Sequence, residues 1–204
     1  MIRTITDIIA IITVAQLILF ALFLISAKKD RGFDKIALAL FLISNGFFIL
    51  NFLAFRYRSE IVPYTVNLFF IGGTFGFLFG PLLYLYTKAV TSREYRFTKK
   101  ELLHFIPFII VFILTLYRFQ FQSYDTKIAL LQTGLYSKTV SRVLLTLMHG
   151  ITLIYLLKAF LVALKLAIAE EFRRVVVYQQ LQTVKSKILV GKWMRSNFCG
   201  IPWF

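Results

Sequence analysis

"IGGTFGFLFGPLLYLY", Ile71 to Tyr86, sets Gly72, Gly76 and Gly80 four residues apart and places Pro81 directly after the last of them. In water this would be a poor helix, because glycine and proline both weaken helical structure. The stretch carries no charge, however, and the uncharged run around it extends from Ile61 to Thr87. Such a run is long enough to cross a hydrocarbon core, which takes about 20 residues at about 1.5 Å each. Glycines at i, i+4 and i+8 drift only about 40° per step around a helix, so they form one smooth face against which a neighbouring helix can press its backbone. Pro81 has no backbone N–H and biases Gly80 away from helical geometry, which predicts a bend about one turn before the inner end of this span at Tyr84 to Thr87. The bend is either fixed or a hinge that transmits a signal.

The composition places the whole chain in the same environment. Of 204 residues 59% are hydrophobic, 23 are Phe and only nine are acidic, with a mean hydropathy of +0.77. Water-soluble domains carry charge on about a quarter of their residues. The expected fold is an all-α, polytopic transmembrane bundle of about five spans, over residues 8–27, 36–55, 61–87, 102–117 and 143–164, the last requiring Lys158 to snorkel. Residues 1–169 form this membrane domain and 170–204 a basic tail. The first run is longer than the apolar core of a signal peptide and its strongest charges, Lys28, Lys29 and Arg31, follow it, so it is expected to stay as an anchor.

Charge orients the bundle. With an outer amino terminus, 17 Lys and Arg residues fall on the inner side and 7 on the outer side, the bias of cytoplasmic loops. The amino terminus is therefore expected outside and the tail inside. The net charge of +15 lies beside membrane spans, where attraction to anionic lipid accounts for it better than nucleic acid does. The partner this predicts is the lipid bilayer, together with a second copy of the chain docking through the glycine face.

Catalytic patterns are absent. Two His, one Cys (Cys199) and nine carboxylates provide no zinc-protease helix, nucleophile elbow, phosphate loop or paired-cysteine metal spacing. Neither an enzyme nor a cofactor or metal is expected. What the spans contain is sparse polar side chains, costly in a membrane unless paired or solvated. Counted from the outer end of each span at about 1.5 Å per residue, Asn51 lies roughly 6 Å deep, Asn67 and His149 roughly 9 Å, Gln16 roughly 12 Å and Asn45 roughly 15 Å. Their shared depth makes them candidates to line a pocket open to the outside, with interhelical hydrogen bonding as the plainer use for each one. The longest outer segment, residues 118–142, alternates Phe119 and Phe121 and continues with Ile128, Leu130, Leu131 and Leu135. It reads either as a short helix over the outer mouth or as a segment resting on headgroups.

One stretch is familiar. "FGPLLYLYTKAVTSREYRFTKKELLHFIPF", Phe79 to Phe108, closes one helix with Gly80-Pro81-Leu82-Leu83-Tyr84-Leu85-Tyr86 and, after a basic loop, opens the next with Leu103-His104-Phe105-Ile106-Pro107-Phe108. It resembles the membrane-embedded N-terminal region of bacterial AraC-type transcriptional regulators. The resemblance implies a multi-span sensor in the bacterial cytoplasmic membrane, responding to a small-molecule signal and coupled to a cytoplasmic helix-turn-helix domain. After Glu171 only 33 residues follow, too few for such a DNA-binding domain. The expectation is a truncated or frame-shifted form of such a regulator, with no sequence-specific DNA binding by this chain alone. In the tail, Val177, Leu181, Val184 and Ile188 keep helical spacing and Trp193 and Trp203 are suited to an interface, as for a helix lying on the inner leaflet. The alternative function is a small membrane carrier or channel component acting as an oligomer.

Overall fold

The computed structural model describes residues 4–26, 32–92, 95, 97–136 and 138–198; between 175 and 198 it describes the side chains of Tyr178, Gln179 and Lys185 only. The chain divides into two compact units, Met1–Val162 and Ala163–Phe204. Among the described residues all regular structure is helical, with no strand, as long apolar segments demand where backbone groups must find partners within their own segment.

Helices α1 (Ile5–Ser26) and α2 (Phe33–Arg56) begin and end within a few residues of the first two expected spans. The two helices pack on each other, and the small residues Ala21 of α1 and Ala37 and Ala39 of α2 are fully buried, as suits close helix packing. Four helical segments are long and apolar enough to cross a membrane, namely Ile5–Ser26, Phe33–Arg56, Lys99–Gln120 and Lys138–Arg174. Their outward faces are apolar, with Phe20, Phe23, Leu153 and Ile168 each more than half exposed. Water would penalise such a surface.

The third expected span is not one helix. After α3 (Arg58–Ile61) the chain turns through residues 62–70 and becomes helical again only at α4 (Ile71–Thr74). Of the apolar residues that lengthened this run in the sequence, Val66 and Phe69 are buried in protein while Leu68 stays exposed. Val66 and Phe69 join Ala54, Phe119, Leu131 and Leu135 in a core cluster, a setting in which irregular backbone is tolerated at membrane depth. Phe70 completes the reversal at φ 68°, and its ring is held 4.9 Å from those of Phe55 and Phe119. A positive φ at an aromatic residue costs roughly 1–3 kcal/mol, which the packing around it must offset.

From Ile71 the helix continues through a 3-10 turn (Phe75–Leu78) into α5 (Phe79–Thr91). Pro81 lies in the first turn of α5, where a missing N–H leaves no extra carbonyl unbonded. The departure from α geometry falls on the turn just before it. The next helical segment runs Lys99–Gln120, with α6 (Ile106–Thr115) between a 3-10 turn and a π turn. In the outer segment, α7 (Tyr124–Thr133) forms and buries Leu131 in the core cluster, so this segment folds onto the bundle. Last comes α8 (Lys138–Phe198). Its residues 138–162 belong to the first unit, and residues 163–198 of the second are helical. The side chains of Val177, Leu181, Val184, Ile188 and Trp193, and all of Cys199 and Trp203, lie outside the described residues.

The glycine face is a packing surface, but it serves two partners in turn. A Cβ on Gly72 would collide with the Phe47 carbonyl oxygen and Asn51 Cβ of α2. One on Gly76 would meet Met148 Sδ of α8 and, at 3.2 Å, the Phe48 ring of α2. One on Gly80 would meet Tyr155 Cβ at 2.9 Å and Thr152 Cα at 3.0 Å, both on α8. The face therefore crosses from α2 to α8 along its length. All three glycines are buried by the chain's own helices, which leaves this face closed to the second copy expected there.

Candidate functional site

Polar side chains gather at the two ends of the bundle, each built around a buried carboxylate. At one end Asp7, 2% exposed, pairs with Arg56 Nε at 2.6 Å and accepts hydrogen bonds from the Tyr57 hydroxyl at 2.7 Å and the Thr4 amide at 3.1 Å. This contact ties the start of α1 to the end of α2. Around it Arg58 donates to the Leu131 carbonyl at 2.6 Å, Lys127 Nζ to Asn67 Oδ1 at 2.8 Å and Gln120 Nε2 to the Asn67 carbonyl at 2.9 Å. These bonds fasten α7 and the irregular stretch 62–70 to the same end.

Two cavities open here. The larger, about 660 Å³, lies between α1, α2, α3 and the start of α4, and both Asn51 and Asn67 line it. The smaller, about 410 Å³, lies between α2, α4, α6 and α8 beneath residues 134–136. Asn51 lines both. Its Oδ1 is buried without a hydrogen-bond partner, as is the Tyr136 hydroxyl at the smaller cavity. A buried acceptor left unbonded costs about 1–3 kcal/mol, and a donor brought by a bound molecule recovers that loss.

Of the five expected pocket residues the structure thus unites two, Asn51 and Asn67. The others go elsewhere. Gln16 is exposed on α1, Asn45 donates within its own helix to the Phe41 carbonyl at 2.8 Å, and His149 is exposed and donates to the Leu145 carbonyl at 2.7 Å. Counting along a helix does not give the direction a side chain takes around it. Tyr57 and Glu60 line the larger cavity and were missed, because they flank the run of apolar residues from which depths were counted.

At the opposite end lies Glu101, 4% exposed. Its Oε1 pairs with Lys88 Nζ at 2.9 Å and its Oε2 accepts the Thr98 amide at 2.9 Å, completing a capping box with the Thr98 hydroxyl. The pattern Thr98-Lys99-Lys100-Glu101 is the sequence signature of that box and could have located it. Burial pushes the Tyr95 phenol up, and the Glu101 carboxylate beside it pushes the same way. Next to this group His104 Nδ1 lies 2.7 Å from the Tyr155 hydroxyl, with the Tyr84 ring centred 5.5 Å from the His104 ring. Tyr84, Lys88, Glu101 and His104 all belong to the stretch Phe79 to Phe108. Folding brings them together with Tyr155 of α8.

Among the described residues no group of three or more His, Cys, Asp or Glu side chains forms a metal cluster. Comparison with known proteins gives no matching family model, no matching curated protein and no matching solved structure.

Proposed function

We propose that the chain is the membrane-embedded signal-input module of an AraC-type regulator, crossing the bacterial cytoplasmic membrane five times with its amino terminus outside. In this arrangement the Asp7 end faces outward and the Glu101 end faces the cytoplasm. The observation that carries the reading is the path between them. The helical run from Ile71 to Thr91 begins with Gly72 in the wall of the larger cavity and ends with Lys88 paired to Glu101. A molecule that changes the packing of Asn51 against Gly72 acts on a segment whose far end holds the basic cytoplasmic loop. The alternative, an oligomeric carrier or channel, draws less support, since the glycines it would use for assembly are covered by α2 and α8.

The topology has its own test. Reporter fusions after Lys29, Lys100 and Phe204 should score as cytoplasmic and those after Arg58 and Lys127 as external. A cytoplasmic score at Lys127 would remove the five-span arrangement.

The sensing role is read from an environment-sensitive dye on Ser92→Cys, in a Cys199→Ser background, with the full chain in lipid nanodiscs. Across a panel of water-soluble and membrane-partitioned small molecules, at least one should shift the dye emission saturably. Asn51→Leu should abolish that shift, and vesicles holding the protein should pass none of the active compound. Protein-dependent flux of that compound would favour the carrier instead.

A further inference from the structure

The larger cavity is open sideways. Ile11, Phe47, Leu50 and Leu68 line it while remaining 47%, 45%, 41% and 58% exposed, respectively. They lie on the outward faces of α1, α2 and the 62–70 stretch, where the proposed arrangement has acyl chains. A molecule dissolved in the bilayer can reach this cavity without passing through water, and its apolar part would meet only apolar side chains along the way. The volume of about 660 Å³ lies within the range of small-molecule sites.

The polar groups set the chemistry of the other end. Asn67 Oδ1 is occupied by the Lys127 ammonium at 2.8 Å, so Nδ2 is the group this side chain can offer the cavity, and the charge behind it strengthens it as a donor. Lys127 is itself only 8% exposed and has no carboxylate partner among the described residues, only Asn67 and the Phe119 ring at 5.9 Å. This corner of the cavity favours an oxygen that accepts. Asn51 Oδ1, buried and unbonded, requires a group that donates. A carboxylate head has no proton for Asn51. An ammonium head cannot accept from Asn67 and lies near Lys127. A neutral hydroxyl or secondary amide satisfies both asparagines.

We propose that the larger cavity binds a neutral, single-chain amphiphile that enters from the bilayer, its apolar chain between α1 and α2 and its hydroxyl or amide head between Asn51 and Asn67. This rests on the reading of the cavity as the signal-input site and names the class of signal.

The test uses the full chain in phosphatidylcholine nanodiscs with radiolabelled monodecanoylglycerol as the probe. Binding should be saturable. Methyl decanoate, which accepts but does not donate, and decanoate, which is anionic, should compete about ten-fold more weakly, the worth of one hydrogen bond in such a site. Asn51→Leu should weaken binding by about ten-fold and Lys127→Met by roughly three-fold. Leu68→Trp fills the lip of the cavity from an exposed position without touching the core, and should block binding while leaving the melting temperature unchanged. Unsaturable uptake, equal competition by methyl decanoate, or full binding to Leu68→Trp would each overturn the proposal. The Ser92→Cys dye in the same samples separates the two ideas. Saturable, Leu68→Trp-sensitive binding with a silent dye upholds the amphiphile site and removes the sensor role, whereas a dye response to a water-soluble compound with no binding of the probe removes the amphiphile and keeps the sensor.

Discussion

Gly72→Leu is expected to lower the stability of the detergent-solubilised protein by roughly 1–3 kcal/mol, at the upper end of the range for an overpacked core. The first atom a Cβ would meet there is the Phe47 carbonyl oxygen, part of the backbone of α2. It cannot turn aside as a side chain can. Gly76→Leu should cost less, because the nearest atom is the sulfur of Met148, the flexible end of an adaptable side chain. Gly80→Leu should resemble Gly72→Leu, since Thr152 Cα stands 3.0 Å from the new Cβ. Gly150→Leu is the control. It makes the same change in α8, where nothing lies within 4 Å, and should stay within about 0.5 kcal/mol. Thermal melts in one detergent decide the matter, and a Gly72→Leu protein that melts with Gly150→Leu would show that α2 does not lie against this glycine. Phe75 and Phe77 are unsuited as neutral comparisons, because Phe75 stacks on Phe47 with ring centres 4.9 Å apart and Phe77 is buried.

Glu101→Ala should be the most damaging change at the opposite end, at roughly 2 kcal/mol. It removes a buried carboxylate that accepts from Lys88 and from the Thr98 amide, and it opens the capping box that starts the segment Lys99–Gln120. Thr98→Ala should account for about 1 kcal/mol of this through the cap alone. Lys88 is 37% exposed at its side chain, so solvent screens the pair, and a double-mutant cycle with Lys88→Met should give a coupling of no more than about 1 kcal/mol. A Glu101→Ala protein as stable as the parent would mean that Glu101 does not hold Lys88 and the Thr98 amide together.

The contrast between α2 and the third run shows what hydropathy can and cannot resolve. The bounds of α2, Phe33–Arg56, lie close to the expected 36–55, because an apolar run flanked by Lys35 and Arg56 has one easy reading. The run from Ile61 has two. Its apolar residues can face lipid as a helix or face protein as an irregular stretch, and Val66 and Phe69 take the second course against Phe119 and Leu131. Those partners lie fifty or more positions away in the sequence, so no local pattern marks the choice. The pocket residues divide for a related reason. Counting about 1.5 Å per residue groups Gln16 and His149 with Asn51 and Asn67 by position along their helices, but the side of the helix on which each stands depends on neighbours that a single span does not specify. Asn51 came forward from its depth alone, and its packing against Gly72 is visible only in the fold.

The three buried glycines also limit how the bundle can move. Each is a slot that holds part of a neighbouring helix, and the slots recur every four residues, about 6 Å along the axis. Between them stand Phe75, Phe77, Leu78 and Phe79, so a slide of one or two residues would drive a large side chain into α2 or α8. The segment behaves as a ratchet with coarse teeth: it holds its place or jumps a whole tooth, and packed interfaces favour such discrete states over gradual deformation. On the proposed reading, a small displacement at the cavity would travel as rotation or tilt of this segment, with Phe70 and the 3-10 turn Phe75–Leu78 as the places where it departs from α geometry, and the geometry of those few residues would set how much of the displacement reaches the far end.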